Sequence, residues 1–218
     1  VKLAIVLAAG YGSRMRPNSA RVPKPMLRIG RESLLIRHLR ALDVSGHTHA
    51  VVTCSYHSQT LRLLVGRLRF DSLKISFSHE GHQPLETAGG IRRVMSQYPG
   101  SPVTVVNGDI LTEFPFSELG APPVGGAHLL LVPNPPHNPL GDFCLSKSGV
   151  VSRRGTDAQA LTFSGVSSFD SSALETGDSP RLADALSPLI EAGLVTGQYC
   201  DHLWQDVGTP DAMHALNS

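Results

Sequence analysis

Apolar residues in this chain come first as short continuous runs and then as helical stripes, and the two alternate. "KLAIVLAA", "AVVTC", "LKISFSH" and "VTVVNGD" are such runs. They predict strands covered on both faces, as in a parallel sheet. Between them "SLLIRHLRAL" and "SQTLRLLVGRL" carry the helical period. The second puts Leu61, Leu64, Val65 and Leu68 on one face at i, i+3, i+4 and i+7, with Ser58 as its N-cap. "GGIRRVMSQY" predicts another helix after the third run. Strand and helix alternating in this way predict an α/β fold, a Rossmann-like and mostly parallel central sheet with helices on both faces.

The pattern changes at Gly120. "GAPPVGG" and "VPNPPHNPLGDF" are rich in turn formers and flank the apolar run "AHLLLV". "GVVS" and "LTFSGVSSF" predict further strands. "SPRLADALSPLIEAG" predicts a helix with Pro180 near its first turn and a bend or break at Pro188. "GTPDAMHAL" predicts a closing helix, capped by Thr209 with Pro210 at the first helical position. A separate domain would need its own core, so residues 1–218 read as a single domain, with about 1–120 as its first part and about 121–218 as an elaboration on the same sheet.

Composition narrows the function. At 218 residues with 41% hydrophobic content the chain can bury a sizeable core. Its 19 Lys+Arg against 18 Asp+Glu leave a formal charge of +1, which provides no overall field for nucleic acid or an anionic membrane. Any cationic site must be local. No run approaches the roughly 18 apolar residues of a membrane helix. "VKLAIVLAAG" runs straight into a charged turn, which reads as a first strand and not as a signal peptide. Cys54, Cys144 and Cys200 are odd in number and far apart, so neither a disulfide framework nor a C-x-x-C site is expected, and a reducing cytoplasm is the simpler setting.

The local charge is found at "LAAGYGSRMRP". Gly10 and Gly12 allow the backbone to bend and leave N–H groups free for phosphate, while Arg14 and Arg16 add guanidinium forks that suit phosphate oxygens. This is not a dinucleotide fingerprint, because Met15 stands where the third glycine belongs, and it lacks the G-K-[ST] of a Walker A loop. A nicotinamide oxidoreductase is therefore disfavoured. In "VPKPML", Pro23 and Pro25 hold the backbone around Lys24 extended and limit where its ammonium can go. Two carboxylates complete the set. Asp109 ends the run "VTVVNGD", and Asp206 in "WQDVGT" precedes the last predicted helix. Two aspartates brought to one sheet edge beside bound phosphates suit Mg²⁺, which commonly takes one or two carboxylates plus phosphate oxygens.

In this order "LAAGYGSRMRP", "PKPML", "LLIRHLRAL", "EGHQPLETAGGI", "VNGD", "NPLGDF", "LTFSGVS" and "WQDVGT" resemble the sugar-1-phosphate nucleotidyltransferases, and among them the short single-domain uridylyltransferases that act on N-acetylmuramate 1-phosphate. The resemblance implies a Mg²⁺-dependent transfer from UTP to that sugar phosphate, releasing pyrophosphate, in cytoplasmic recycling of cell-wall peptidoglycan sugars. It also implies that Ala8, Ala9, Gly10, Gly12, Ser13, Arg14 and Lys24 hold the triphosphate, with Arg14 and Lys24 stabilising developing charge. Asp109 and Asp206 match its metal ligands, and Asn107 lies near the reacting phosphates or the sugar. Glu80, Glu86, Thr87 and Ala88 fall where the family reads the base. For the sugar, "NPLGDF" and "LTFSG" are the expected walls: Gly141 for close approach, Asp142 as acceptor from hydroxyls, and Ser164 and Gly165 beside them. Where many hexose-1-phosphate relatives carry Glu-Lys-Pro, this chain has "SRRGTDAQA". That departure fits a sugar with a bulkier substituent, whose carboxylate Arg153 or Arg154 could meet if they are not simply surface arginines. The alternative within the same chemistry is a guanylyl- or thymidylyltransferase acting on mannose or glucose 1-phosphate; a non-catalytic sensor on the same fold would have no need of both aspartates.

Overall fold

The computed structural model describes residues 2–10, 26–55, 58–81, 85–153, 158–208, 214 and 216. In chain order its elements are β1 (Leu3–Leu7), β2 (Arg28–Ile29), β3 (Glu32–Ser33), α1 (Leu34–Val44), β4 (His49–Cys54), α2 (Ser58–Val65), β5 (Lys74–His79), α3 (Glu86–Met95), β6 (Val103–Asn107), β7 (Ile110–Thr112), β8 (Ala127–Val132), β9 (Phe143–Leu145), β10 (Val151–Ser152), β11 (Gln159–Phe169), α4 (Leu182–Glu191), β12 (Val195–Tyr199) and β13 (Trp204–Asp206).

Nine strands form one sheet, with a main path β10-β9-β11-β6-β1-β4-β5 and with β8 and β12 attached through β11. The side built from β6, β1, β4 and β5 is parallel, as the continuous apolar runs predict. β11 then pairs antiparallel with β6, β8 and β9, and β12 runs parallel to β8. The period of two along β1 divides its side chains between two cores. Leu3 and Ile5 pack with α3 and α4 residues such as Ile91, Val94 and Leu186. Ala4 and Val6 pack with Leu35, Leu39 and Leu42 of α1 and with Leu61 and Val65 of α2. Helices thus cover both faces of the parallel half, and both sets of side chains leave water.

Some expected boundaries shift for local reasons. α2 stops at Val65, where Gly66 donates its N–H to the Arg62 carbonyl; only Leu61 and Val65 are buried, Leu64 is exposed and Leu68 half-buried. α3 begins at Glu86, ahead of the glycine pair. α4 starts beyond Pro180 and runs through Pro188 without breaking. Pro180 instead offers its carbonyl to the Ala88 N–H at 2.9 Å. Thr209 and Pro210 lie outside the described residues. Cys54, Cys144 and Cys200 are free and buried. Among the described residues no helix is long and apolar enough to cross a membrane.

Candidate active site

The carboxyl ends of the parallel strands lie along one side of the sheet, and of the predicted residues Ala8–Gly10, Asn107 and Asp109 stand at or just beyond the ends of β1 and β6. Leu7 is in register with Asn107, and Gly108 donates its N–H to the Leu7 carbonyl at 2.9 Å. The segment Ala8–Gly10 and the turn carrying Asp109 therefore leave the sheet side by side. Ala8 and Ala9 are buried and tied to β4 and its end: the Ala8 N–H donates to Thr53 Oγ1 at 3.1 Å, and Ser55 Oγ donates to the Ala9 carbonyl at 2.6 Å. Gly10 is exposed, and among the described residues a Cβ there would meet nothing within 4 Å. Gly12, Ser13, Arg14, Arg16 and Lys24 lie outside the described residues.

The two aspartates meet through a pairing that joins distant parts of the chain. β7 and β13 form an antiparallel ribbon in which Asp206 stands opposite Ile110, and the Val207 N–H donates to the Asp109 carbonyl at 2.9 Å. β13 is pinned to the main sheet by its tryptophan, whose Nε1–H donates to the Ser164 carbonyl at 2.7 Å. Asp109 and Asp206 are both half-buried at this edge, and two carboxylates suit Mg²⁺, which commonly takes one or two carboxylates plus phosphate oxygens; among the described residues no group of three or more His, Cys, Asp or Glu side chains is placed to hold a metal ion. His38 of α1 is buried under this ribbon, where desolvation pushes its pKa down to about 4 against the raising effects of the Ile110 backbone and Asp109.

β11 breaks its register with β8 between Phe163 and Ser167. Ser164, fully buried, accepts the Val166 N–H on its Oγ at 3.1 Å. Gly165 has φ +84°, and a Cβ there would come within 2.8 Å of Asn107 Nδ2. The irregularity thus brings backbone against Asn107 and makes a wall at the end of β6. Gly141 is equally constrained, with φ +68° and the Leu161 carbonyl 2.8 Å from where a Cβ would be.

Three of the predicted contacts are used differently. The Asp142 carboxylate is engaged by its own neighbourhood, one oxygen accepting from Asn138 Nδ2 at 3.0 Å and the other from the Phe163 N–H at 2.9 Å. Its role in the structure is to hold the turn to β11. Ala88 is wholly buried with its N–H given to Pro180, so it packs the core and cannot meet a base edge. Glu80 is 7% exposed, and its Oε2 accepts the Leu85 N–H at 2.8 Å. Glu86 and Thr87 remain nearer the surface, Glu86 exposed with φ +58°. Arg153 Nη2 reaches Ser187 Oγ at 2.6 Å and the Ala183 carbonyl on α4, which makes it a surface tie.

A cleft of about 640 Å³ opens beside Asp206, walled by Asn134, Pro135, His137, Tyr199, His202 and Trp204 among others. His137 Nε2 is 4.0 Å from Asp206 Oδ2. The sequence marks this loop as turn-rich and offers no sign of the histidine's proximity, which depends on the β12–β13 connection passing in front of it. Thr53 is likewise invisible in the sequence, one residue inside an apolar run.

A profile of the nucleotidyl transferase family matches residues 3–121. The N-acetylmuramate alpha-1-phosphate uridylyltransferase of Neisseria meningitidis serogroup B is 38% identical, over 94% of this chain and 93% of that protein. The mannose-1-phosphate guanylyltransferase catalytic subunit beta of Danio rerio is 34% identical over 53% of this chain, which covers 33% of its length. The crystal structure of HddC from Yersinia pseudotuberculosis superimposes with a TM-score of 0.78 at 20% identity, over 99% of this chain and 98% of that one, a likeness of fold.

Proposed function

The chain belongs to the nucleotidyl transferase family, and on that footing we propose that it is a Mg²⁺-dependent uridylyltransferase converting UTP and N-acetylmuramate 1-phosphate to UDP-N-acetylmuramate and pyrophosphate. The observation behind the reaction is the β7–β13 ribbon, which joins Asp109 and Asp206 next to the end of β1. The choice of base and sugar draws its support from the uridylyltransferase relative, matched over 93% of its length. Such an activity belongs to cytoplasmic salvage of cell-wall sugars. Residues of about 1–120 would serve the nucleotide and those of about 121–218 the sugar.

The acceptor needs no general base. A phosphate monoester has its second pKa at about 6, so a sugar 1-phosphate is mainly a dianion at neutral pH. Its oxygen attacks the α-phosphorus of UTP; the bond from that phosphorus to the bridging β-phosphate oxygen breaks, and pyrophosphate leaves. What remains for the protein is alignment and charge. Backbone N–H groups of Gly10, Gly12 and Ser13 cradle the triphosphate, and Arg14 and Lys24 offset the charge that develops on the departing group. Asp109 and Asp206 would hold Mg²⁺, which when bound neutralises charge on the substrate phosphates. Asn107 orients the sugar phosphate against the Gly165 wall, and Glu86 and Thr87 face the base.

The test is pyrophosphate release measured over four nucleoside triphosphates and a panel of sugar 1-phosphates, with UTP and N-acetylmuramate 1-phosphate expected to be the best pair. Asp109→Asn and Asp206→Ala are each expected to lower turnover at least about 100-fold; a folded variant that keeps its rate removes the metal assignment. The guanylyltransferase relative favours a second reading, GTP with mannose 1-phosphate. The same panel separates the two.

A further inference from the structure

We infer that Glu80 is a positioning residue that locks the start of the phosphate turn and the base loop into one register, and that it does not itself read the base. This rests on the proposed roles of Ala8–Gly10 and of the segment around Glu86 in holding the nucleotide.

The contacts form one line across three neighbouring strand ends, β1, β4 and β5. The Ala8 N–H donates to Thr53 Oγ1 at 3.1 Å. The Thr53 hydroxyl lies beside the Glu80 carboxylate and favours its charged form. Glu80 Oε2 accepts the Leu85 N–H at 2.8 Å, immediately before α3 begins, while the Glu80 N–H donates to the Cys54 carbonyl at 2.9 Å. A hydroxyl has a single proton. Giving it to Glu80 turns the Thr53 oxygen lone pairs toward Ala8, so the carboxylate fixes the direction in which the first strand leaves the sheet.

The fold makes room for this carboxylate. A Cβ on Gly90 would come within 2.6 Å of Glu80 Oε1, so a helix residue without a side chain is required where α3 passes. Burial raises the carboxyl pKa, and the Leu85 N–H, the Thr53 hydroxyl, Arg93 and His79 all act against that rise. A group meant for a base edge would be left open to a ligand. Here Oε2 is taken by the Leu85 N–H, and Oε1 is closed in by α3 at Gly90. A carboxylate is needed because both partners are donors. A glutamine can present only one oxygen, and its NH₂ would then face a donor.

Binding of pyrophosphate with Mg²⁺, and separately of uridine, measured by calorimetry on the whole chain, decides the matter. On the proposed function, pyrophosphate with Mg²⁺ engages the phosphate turn and the two aspartates, whereas uridine engages the base loop. Glu80→Gln and Thr53→Val are each expected to weaken both ligands about tenfold; the double variant should be no weaker than the worse single one, and Thr53→Ser should restore wild-type affinity. Gly90→Ala, which keeps Glu80 but crowds Oε1, should reproduce the loss and decides the matter if Glu80→Gln does not fold. Loss of uridine affinity with pyrophosphate affinity unchanged would make Glu80 a base contact and overturn the inference, as would unchanged affinity for both or additive losses. A wild-type chain that binds neither ligand and no UTP overturns the proposed nucleotide site itself, a different result from any of these.

Discussion

Gly165 and Gly10 are both glycines of the site, and each is needed for its own reason. At Gly165 the backbone sits at φ +84° with Asn107 within 3 Å of any added Cβ. Gly165→Ala should cost about 2 kcal/mol of stability and displace Asn107, seen as a lowered urea midpoint and lowered turnover together. At Gly10 no neighbour among the described residues limits a methyl group, and φ is not in the left-handed region. Gly10→Ala should leave the midpoint within about 0.5 kcal/mol of wild type while raising KM for the nucleotide several-fold, because on the proposed function that space belongs to the triphosphate. Glu86 is the converse, a side chain at φ +58° where glycine rests without strain. Glu86→Gly should raise stability by about 1 kcal/mol in thermal melts.

At the scale of elements, Asp206 depends on how firmly β13 is held. Trp204→Phe keeps an aromatic ring, smaller than the indole, but leaves the Ser164 carbonyl without its 2.7 Å donor. It should cost about 1–2 kcal/mol and raise the Mg²⁺ concentration needed for half-maximal rate, with KM for the sugar phosphate changed less. β1, β4 and β6 are legible in the sequence, because strands covered on both faces must be apolar throughout, whereas β5 at the end of the sheet is partly exposed and mixes Ile75 and Phe77 with Lys74, Ser76 and Ser78. β12 and β13 are not. "VTGQY" and "WQD" are short and partly polar, and they become strands only by pairing with β8 and β7, which long stretches of chain separate from them. The aspartates can be singled out by type and position at the ends of apolar runs, but the ribbon joining them cannot. The same holds for Asp142 and Glu80, which look in the sequence like ligand contacts and turn out to bond with backbone that the fold brings to them.

For the molecule as a whole, buried histidines govern its tolerance of acid. Burial pushes His38 and His47 each down to about 4, against about 6.5 in an unfolded chain. Between those values the unfolded chain binds more protons than the folded one. Stability is therefore full above about pH 6.5 and falls as pH drops toward about 4, by on the order of 3 kcal/mol for each histidine. Glu80, raised by burial, acts in the opposite sense just above the ordinary carboxylate range. Urea midpoints measured from pH 7.5 to 4.5 should decline, and His47→Gln should flatten the decline; a level curve would contradict the assignment. The long strand β11 carries a last consequence for anyone trimming the protein. It seals the outer edge of β6 along Val103–Val106 while clasping β8 and β9, so a fragment ending at residue 121, although it spans the family match, would bare an apolar ladder ready to join another copy of itself. Swapping acceptor halves between relatives must therefore bring a compatible β11 along, or the donor half will precipitate before it can be assayed.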